Sequence, residues 1–294
     1  MRRTYATTLA LCLLGAITSV RADRRPFIYH EIIVPGATLT NAQGINAQGD
    51  IVGIYRDAAG KTRGFAWRGG QVSTIDYPGA ALTEARGIGP DGQIVGSYRM
   101  PGEPSVNVHG FLLLNDGSFQ DVDYPDHTNT IPQRILPNGT ILGCRHDTDT
   151  MDTMRGIVIS ADGTSTEIDA FASMNNGATP DGSMVVGLFL NMMTGQSEGY
   201  VIDDGEFMPF VVPGSTLTSA WDVNPRGEIA GVYRDAANRV HGFVRDAGRF
   251  LTLDVPNAAI TRAFGINAGG DVVGAFGDTA GRTRAFMASR SREP

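Results

Sequence analysis

The stretch "GINAQGDIVGIYRDAAGKTRGFAWRGG", Gly44 to Gly70, alternates apolar with polar residues and breaks twice, at Asn46-Ala47-Gln48-Gly49 and at Ala58-Ala59-Gly60. Short alternating runs mark half-buried strands, and Gly-containing breaks of this kind mark tight turns between them. The end of the chain says nearly the same again in "GINAGGDVVGAFGDTAGRTRAFMA", Gly265 to Ala288. A stretch that recurs so closely belongs to a repeat architecture, so the text between the two copies decides the fold.

Aligned on the turn glycine, six copies appear: "GINAQGDIVGIYRD", "GIGPDGQIVGSYRM", "RILPNGTILGCRHD", "GATPDGSMVVGLFL", "DVNPRGEIAGVYRD" and "GINAGGDVVGAFGD". Their glycines are Gly49, Gly92, Gly139, Gly182, Gly227 and Gly270, spaced by 43, 47, 43, 45 and 43 residues. The fourth copy carries one extra residue after its glycine, which suggests a bulge. Each copy predicts four strands: one leading into the turn, one of the "DIVGIY" type after it, a third such as "RGFAW" or "HGFVR", and a fourth such as "QVSTID" or "RFLTLD". Four short antiparallel strands per repeat is the pattern of a propeller blade.

The copies also predict how the ring closes. The sixth ends at "RAFMASRSREP" with no fourth strand, whereas "PFIYHEIIVPGA", Pro26 to Ala37, stands before the first copy. Its "VPGA" matches the "YPGA" and "VPNA" that follow fourth strands elsewhere. The N-terminal strand, residues 26–34, therefore completes the last blade and removes a free sheet edge. The expectation is an all-β fold: a six-bladed β-propeller of four-stranded antiparallel blades, with repeats at about 35–77, 78–124, 125–170, 171–212, 213–255 and 256–294.

The triplets Arg63-Gly64-Phe65, His109-Gly110-Phe111, His241-Gly242-Phe243 and Arg284-Ala285-Phe286, with the "GIN…G…VG" segments before them, resemble the HAF family of extracellular repeats, named for a His-Ala-Phe triplet. The resemblance covers nearly the whole mature chain. It departs from the name in using Gly for Ala in most copies and Arg for His in several. It implies export and a repeated architecture, and it carries no reaction and no catalytic residues.

Composition agrees with an exported globular domain. The 294 residues are 41% hydrophobic and 19% charged, which suits a packed core. Residues 1–22 read as a cleaved secretory signal: Arg2 and Arg3, the apolar run "ATTLALCLLGAITSV", then Val20-Arg21-Ala22 before Asp23. The apolar run is shorter than the roughly 20 residues that span a bilayer. Losing this segment removes three arginines and no acid, taking the net charge from −7 to −10. Such a charge argues against nucleic acid and, after cleavage, against a membrane partner. The expected location is periplasmic or extracellular, and the expected state is a monomer. One cysteine remains, Cys144, in an apolar strand pattern that predicts a buried, inert thiol.

Positions that all copies share are needed six times and read as scaffold. Gly53, Gly96, Gly143, Gly187, Gly231 and Gly274, in the middle of the second strands, are expected to admit the next blade's backbone. Asp76, Asp123, Asp169 and Asp254, and the loop acids Asp57, Asp147, Asp235 and Asp278, read as caps. The Arg or His opening the third strand reads as a donor toward the Asp or Tyr that ends the second strand. Five scattered histidines offer no zinc site.

Positions that differ among copies are free to serve a site. In the first strand one slot reads Asn41, Glu84, Ile131, Met174, Ser219, Arg262. Two residues on, the next reads Gln43, Arg86, Gln133, Asn176, Trp221, Phe264. The following slot is Gly except for Arg134 and Asp222. Alternation puts the first two slots on one side of the strand, near the axis. Arginines there can grip a carboxylate or sulfate, and Trp221 and Phe264 can stack on a ring. The reading is a binding module for a small molecule, glycan or protein at the funnel face. The alternative is a periplasmic hydrolase or lyase on a carbohydrate, uronate or lactone, with Glu84 and Asp222 as acid and base, or one Ca²⁺ held with Asn41, Asn175 and Asn176. No other cofactor is expected, and no metal site.

Overall fold

A computed structural model of the chain describes residues 27–148 and 151–291. The signal segment 1–22 lies outside the described residues. The fold is a six-bladed β-propeller: six four-stranded sheets, each antiparallel. The innermost strands are β2 (Leu39–Ile45), β6 (Leu82–Ile88), β10 (Asn129–Ile135), β14 (Met174–Ala178), β18 (Leu217–Val223) and β22 (Ile260–Ile266). Blade six is closed by β1 (Phe27–Ile32), which pairs with β24 (Thr283–Arg290) from Phe27 opposite Arg290 to Ile32 opposite Ala285.

The hairpin glycines aligned in the sequence all lie in the left-handed region, with φ between 74° (Gly182) and 86° (Gly92), where any side chain is strained. The extra residue of copy four makes no strand bulge. It widens the turn, so that Thr179 N donates to Met184 O, where Asn46 N donates to Asp50 O in copy one. Its second strand β15 (Met184–Asn191) then pairs in unbroken register with β16 (Gln196–Asp203).

The core lies in wedges between neighbouring blades. One wedge joins Val52, Ala66 and Ile75 of blade one to Ala85, Ile94 and Phe111 of blade two. The ring of each triplet fills such a wedge: Phe65, Phe111, Phe243 and Phe286 are fully buried, each worth about 1.5–3 kcal/mol of apolar burial. The triplet glycine lets the next blade approach. A Cβ on Gly64 would come 3.0 Å from the Ala85 methyl, and one on Gly110 would come 2.9 Å from the Pro132 ring.

The mid-strand glycines do something other than the sequence suggests. A Cβ on Gly53 would lie 2.1 Å from the Asn41 carbonyl oxygen and 2.8 Å from the Phe65 ring, both in its own blade. The same close carbonyl recurs for Gly96, Gly143, Gly187, Gly231 and Gly274. These glycines make room inside the blade, not between blades. The crossovers are pinned by a feature unnoticed in the sequence: Thr83, Thr130, Thr218 and Thr261 accept from the backbone N–H of Tyr77, Tyr124, Val212 and Val255.

Candidate functional site

Every innermost strand carries a bulge at one place. Its pairing with the second strand slips between Ala42 and Gly44, and at the matching step in each other blade. The residue skipped is Gln43, Arg86, Gln133, Asn176, Trp221 or Phe264. A bulged residue leaves the ladder and its side chain is re-aimed. The second variable slot is therefore variable for a structural reason: it makes no pair with the neighbouring strand.

The next slot closes the axle. Arg134 and Asp222 are 8% and 5% exposed, with Arg134 Nε 3.2 Å from Asp222 Oδ1. The angle there does not suit a hydrogen bond, so the contact is one of charge. The guanidinium donates instead to backbone carbonyls, Gln133 O at 2.7 Å, Arg86 O at 3.2 Å, Phe264 O at 2.7 Å and Gln43 O at 3.3 Å. Asp222 accepts from Val223 N and Ile266 N at 3.0 Å each. Burial pushes the Asp222 carboxyl up from its ordinary value, against the pull of Arg134. Glycine fills this slot elsewhere because the axle is narrow: a Cβ on Gly177 would lie 2.6 Å from Asp222 Cα.

This pair corrects two expectations. Asp222 and Arg134 brace the fold and face the opposite end of the axle, where a cavity of about 120 Å³ includes them both. Glu84 accepts from Arg86 on its own strand, with Ser97 Oγ 3.4 Å away. The expected acid and base are each held by an arginine, Glu84 by Arg86 and Asp222 by Arg134. The calcium set disperses too. Asn175 donates to Ile157 O and accepts from the Tyr200 hydroxyl, and Asn176 donates to Ala220 O. Among the described residues no group of three or more His, Cys, Asp or Glu is placed to hold a metal ion.

The variable slots divide around the ring. In blades two to four they close on one another: Arg86 with Glu84, Gln133 Nε2 with Met174 Sδ at 3.5 Å, Asn176 with Ala220 O. In blades five, six and one they leave a cavity of about 340 Å³, lined by Ser219, Trp221, Arg262, Phe264 and Gln43. Trp221 and Phe264 meet edge to face, with centroids 4.7 Å apart at 76°. Ser219 is 4% exposed and its hydroxyl has no partner. Asn41 Oδ1 is likewise buried without a partner, outside this lining. Leu188, Tyr233 and Val240 also stand in the wall, outside the variable slots. They stand in text that looks repeated, and only the ring places them beside the variable slots.

The remaining candidates are scaffold. Arg63 pairs with Asp57 and Asp76, His109 with Glu103 and Asp123, and His241 with Asp235 and Asp254. Cys144 is fully buried and its thiol is pushed up to about 12 by burial, while His146 Nδ1 faces Thr148 O. The thiol is inert.

No family model and no curated protein matches the sequence. Solved structures do match in fold. TolB from Acinetobacter baumannii is 16% identical, with a TM-score of 0.59 over 83% of this chain; the chain spans 64% of that protein's length. The β-propeller domain of the Trilobed protease from Pyrococcus furiosus, described as having an open velcro topology, is 11% identical over 87% of this chain and 95% of its own, with a TM-score of 0.55. A variant of the Aleuria aurantia lectin in complex with α-methyl-L-fucoside is 11% identical over 90% of this chain and 96% of its own, with a TM-score of 0.51. At these identities the likeness is one of fold.

Proposed function

We propose that the chain is an exported binding module of the HAF-repeat type, working as a monomer in the periplasm or outside the cell. Its ligand, a small molecule, glycan or exposed group of another protein, enters the cavity bounded by Trp221, Phe264 and Arg262. One observation carries the reading. Variable-slot residues of three blades line an open cavity, while those of the other three are held by protein partners. Glu84 and Asp222, the acid and base a hydrolase or lyase would use, are each engaged by an arginine. Propeller neighbours that include a fucoside-bound lectin are compatible with a binding role.

The test is a thermal-shift screen of the mature protein, from Asp23, against metabolites, saccharides and peptides, run in parallel with Trp221→Ala. A ligand at about 100 times its Kd adds about 2.7 kcal/mol to the folded state, a shift of several degrees. The reading expects shifts in the parent that vanish in the variant. Ligands that shift both proteins equally would place binding elsewhere, and silence across all three classes would end the proposal.

A further inference from the structure

Resting on that reading of the cavity, we propose that its ligand is a small planar carboxylate, an aryl or arylalkyl acid, rather than an uncharged sugar. The repeat supplies its own control. In blade two the first two slots hold Glu84 and Arg86, and the two side chains neutralise each other. In blade six Arg262 stands in the slot of Glu84 and Phe264 in the slot of Arg86, so the two slots hold a cation and a ring and no carboxylate. Arg262 forms no ion pair among the described residues, and no Asp or Glu lines the cavity. The chain is acidic overall, and several of its arginines have an acid beside them: Arg145 with Glu167 at 2.6 Å, Arg290 with Glu228 at 2.7 Å, Arg282 with Asp278 at 2.8 Å. What sets Arg262 apart is its place on the wall of a cavity that holds no carboxylate, where an anion can enter and meet it.

The rest of the wall fits a ring. Trp221 and Phe264 form an edge-to-face corner, and Leu217, Val232 and Val240 extend it with apolar surface. A flat ring can lie in such a corner with its carboxylate toward Arg262. The Ser219 hydroxyl is buried without a partner and can donate to the same anion. A sugar would need acceptors for several hydroxyl groups. A wall without a carboxylate, whose polar groups are mostly donors, serves an anion better than a polyol.

Calorimetry on the mature protein tests this with phenylacetate and indoleacetate, their primary amides, and α-methyl-L-fucoside. The acids should bind about tenfold or more tightly than the amides, the scale of a charge-assisted contact. Arg262→Gln should bring acid and amide together while leaving Tm unchanged, since Arg262 has no partner to lose. Trp221→Ala should weaken both. Equal binding of acid and amide would overturn the proposal, as would no binding of either acid at about 10 mM. Trp221-dependent binding of the fucoside alone would overturn the ligand class and leave the cavity's role standing.

Discussion

Arg134 occupies a slot that is glycine in four of the six copies, and it reaches carbonyls in blades one, two, three and six while facing the carboxylate of blade five. Removing one member of a buried pair leaves the other charge uncompensated, which costs about 3–5 kcal/mol. Arg134→Met and Asp222→Asn should each lower the urea midpoint by a large fraction of the total stability, and the double variant should lose less than the sum. Additive losses would show that the two residues act separately. That both positions depart from glycine was legible in the text; that they depart toward each other was not. Their partners lie across the ring, and a repeat alignment orders copies without closing them. Glu84 and Arg86 sit two residues apart on one strand, so their mutual pairing could have been read directly.

At the scale of the strand and hairpin most of the structure was legible. Alternation, turn glycines and the missing fourth strand of copy six predicted each blade and its closure by β1. The bulges were not, because one skipped residue leaves an alternating pattern looking intact. The mid-strand glycine is their trace, since it faces the carbonyl of the first variable slot in every blade. The closing strand carries a prediction. Deleting the chain through Val34 removes the six-residue pairing with β24 and the buried Ile32, and bares a long unpaired edge. Such edges recruit other chains. Size-exclusion chromatography should find the truncated protein as oligomer or aggregate, and a monomer of unchanged Tm would show that the strand is dispensable.

Across the whole molecule, the loop acids set how stability follows pH. Asp57, Asp235 and Asp278 each accept backbone N–H groups four residues on, from Lys61, Arg239 and Arg282, and these bonds hold the carboxyls below their ordinary value. A depressed carboxylate stabilises the fold above its unfolded pKa and loses that contribution as pH falls through the folded one. His109 works in the opposite sense. Burial lowers its pKa, but the bonds to Asp123 and Glu103 outweigh burial and raise it. Its contribution is present below about 6.5 and fades as pH rises through the folded value. Urea midpoints should therefore peak in mild acid, drop below about pH 4, and decline gently above neutrality. His109→Gln should flatten the alkaline side, and an unchanged slope there would assign the decline to other groups.

The axial arginine has a further consequence on this scale. Six similar modules each stack on the next through the wedges their shared residues fill, and one residue outside that shared set reads the size of the finished ring. That residue is Arg134. Its guanidinium meets the carbonyls of Phe264 and Gln43 and the acid of blade five only when the ring has its present diameter. A ring of five or seven modules would carry those partners out of its reach and leave a charge buried alone. A residue found in one copy thus serves as a gauge for the number of all of them.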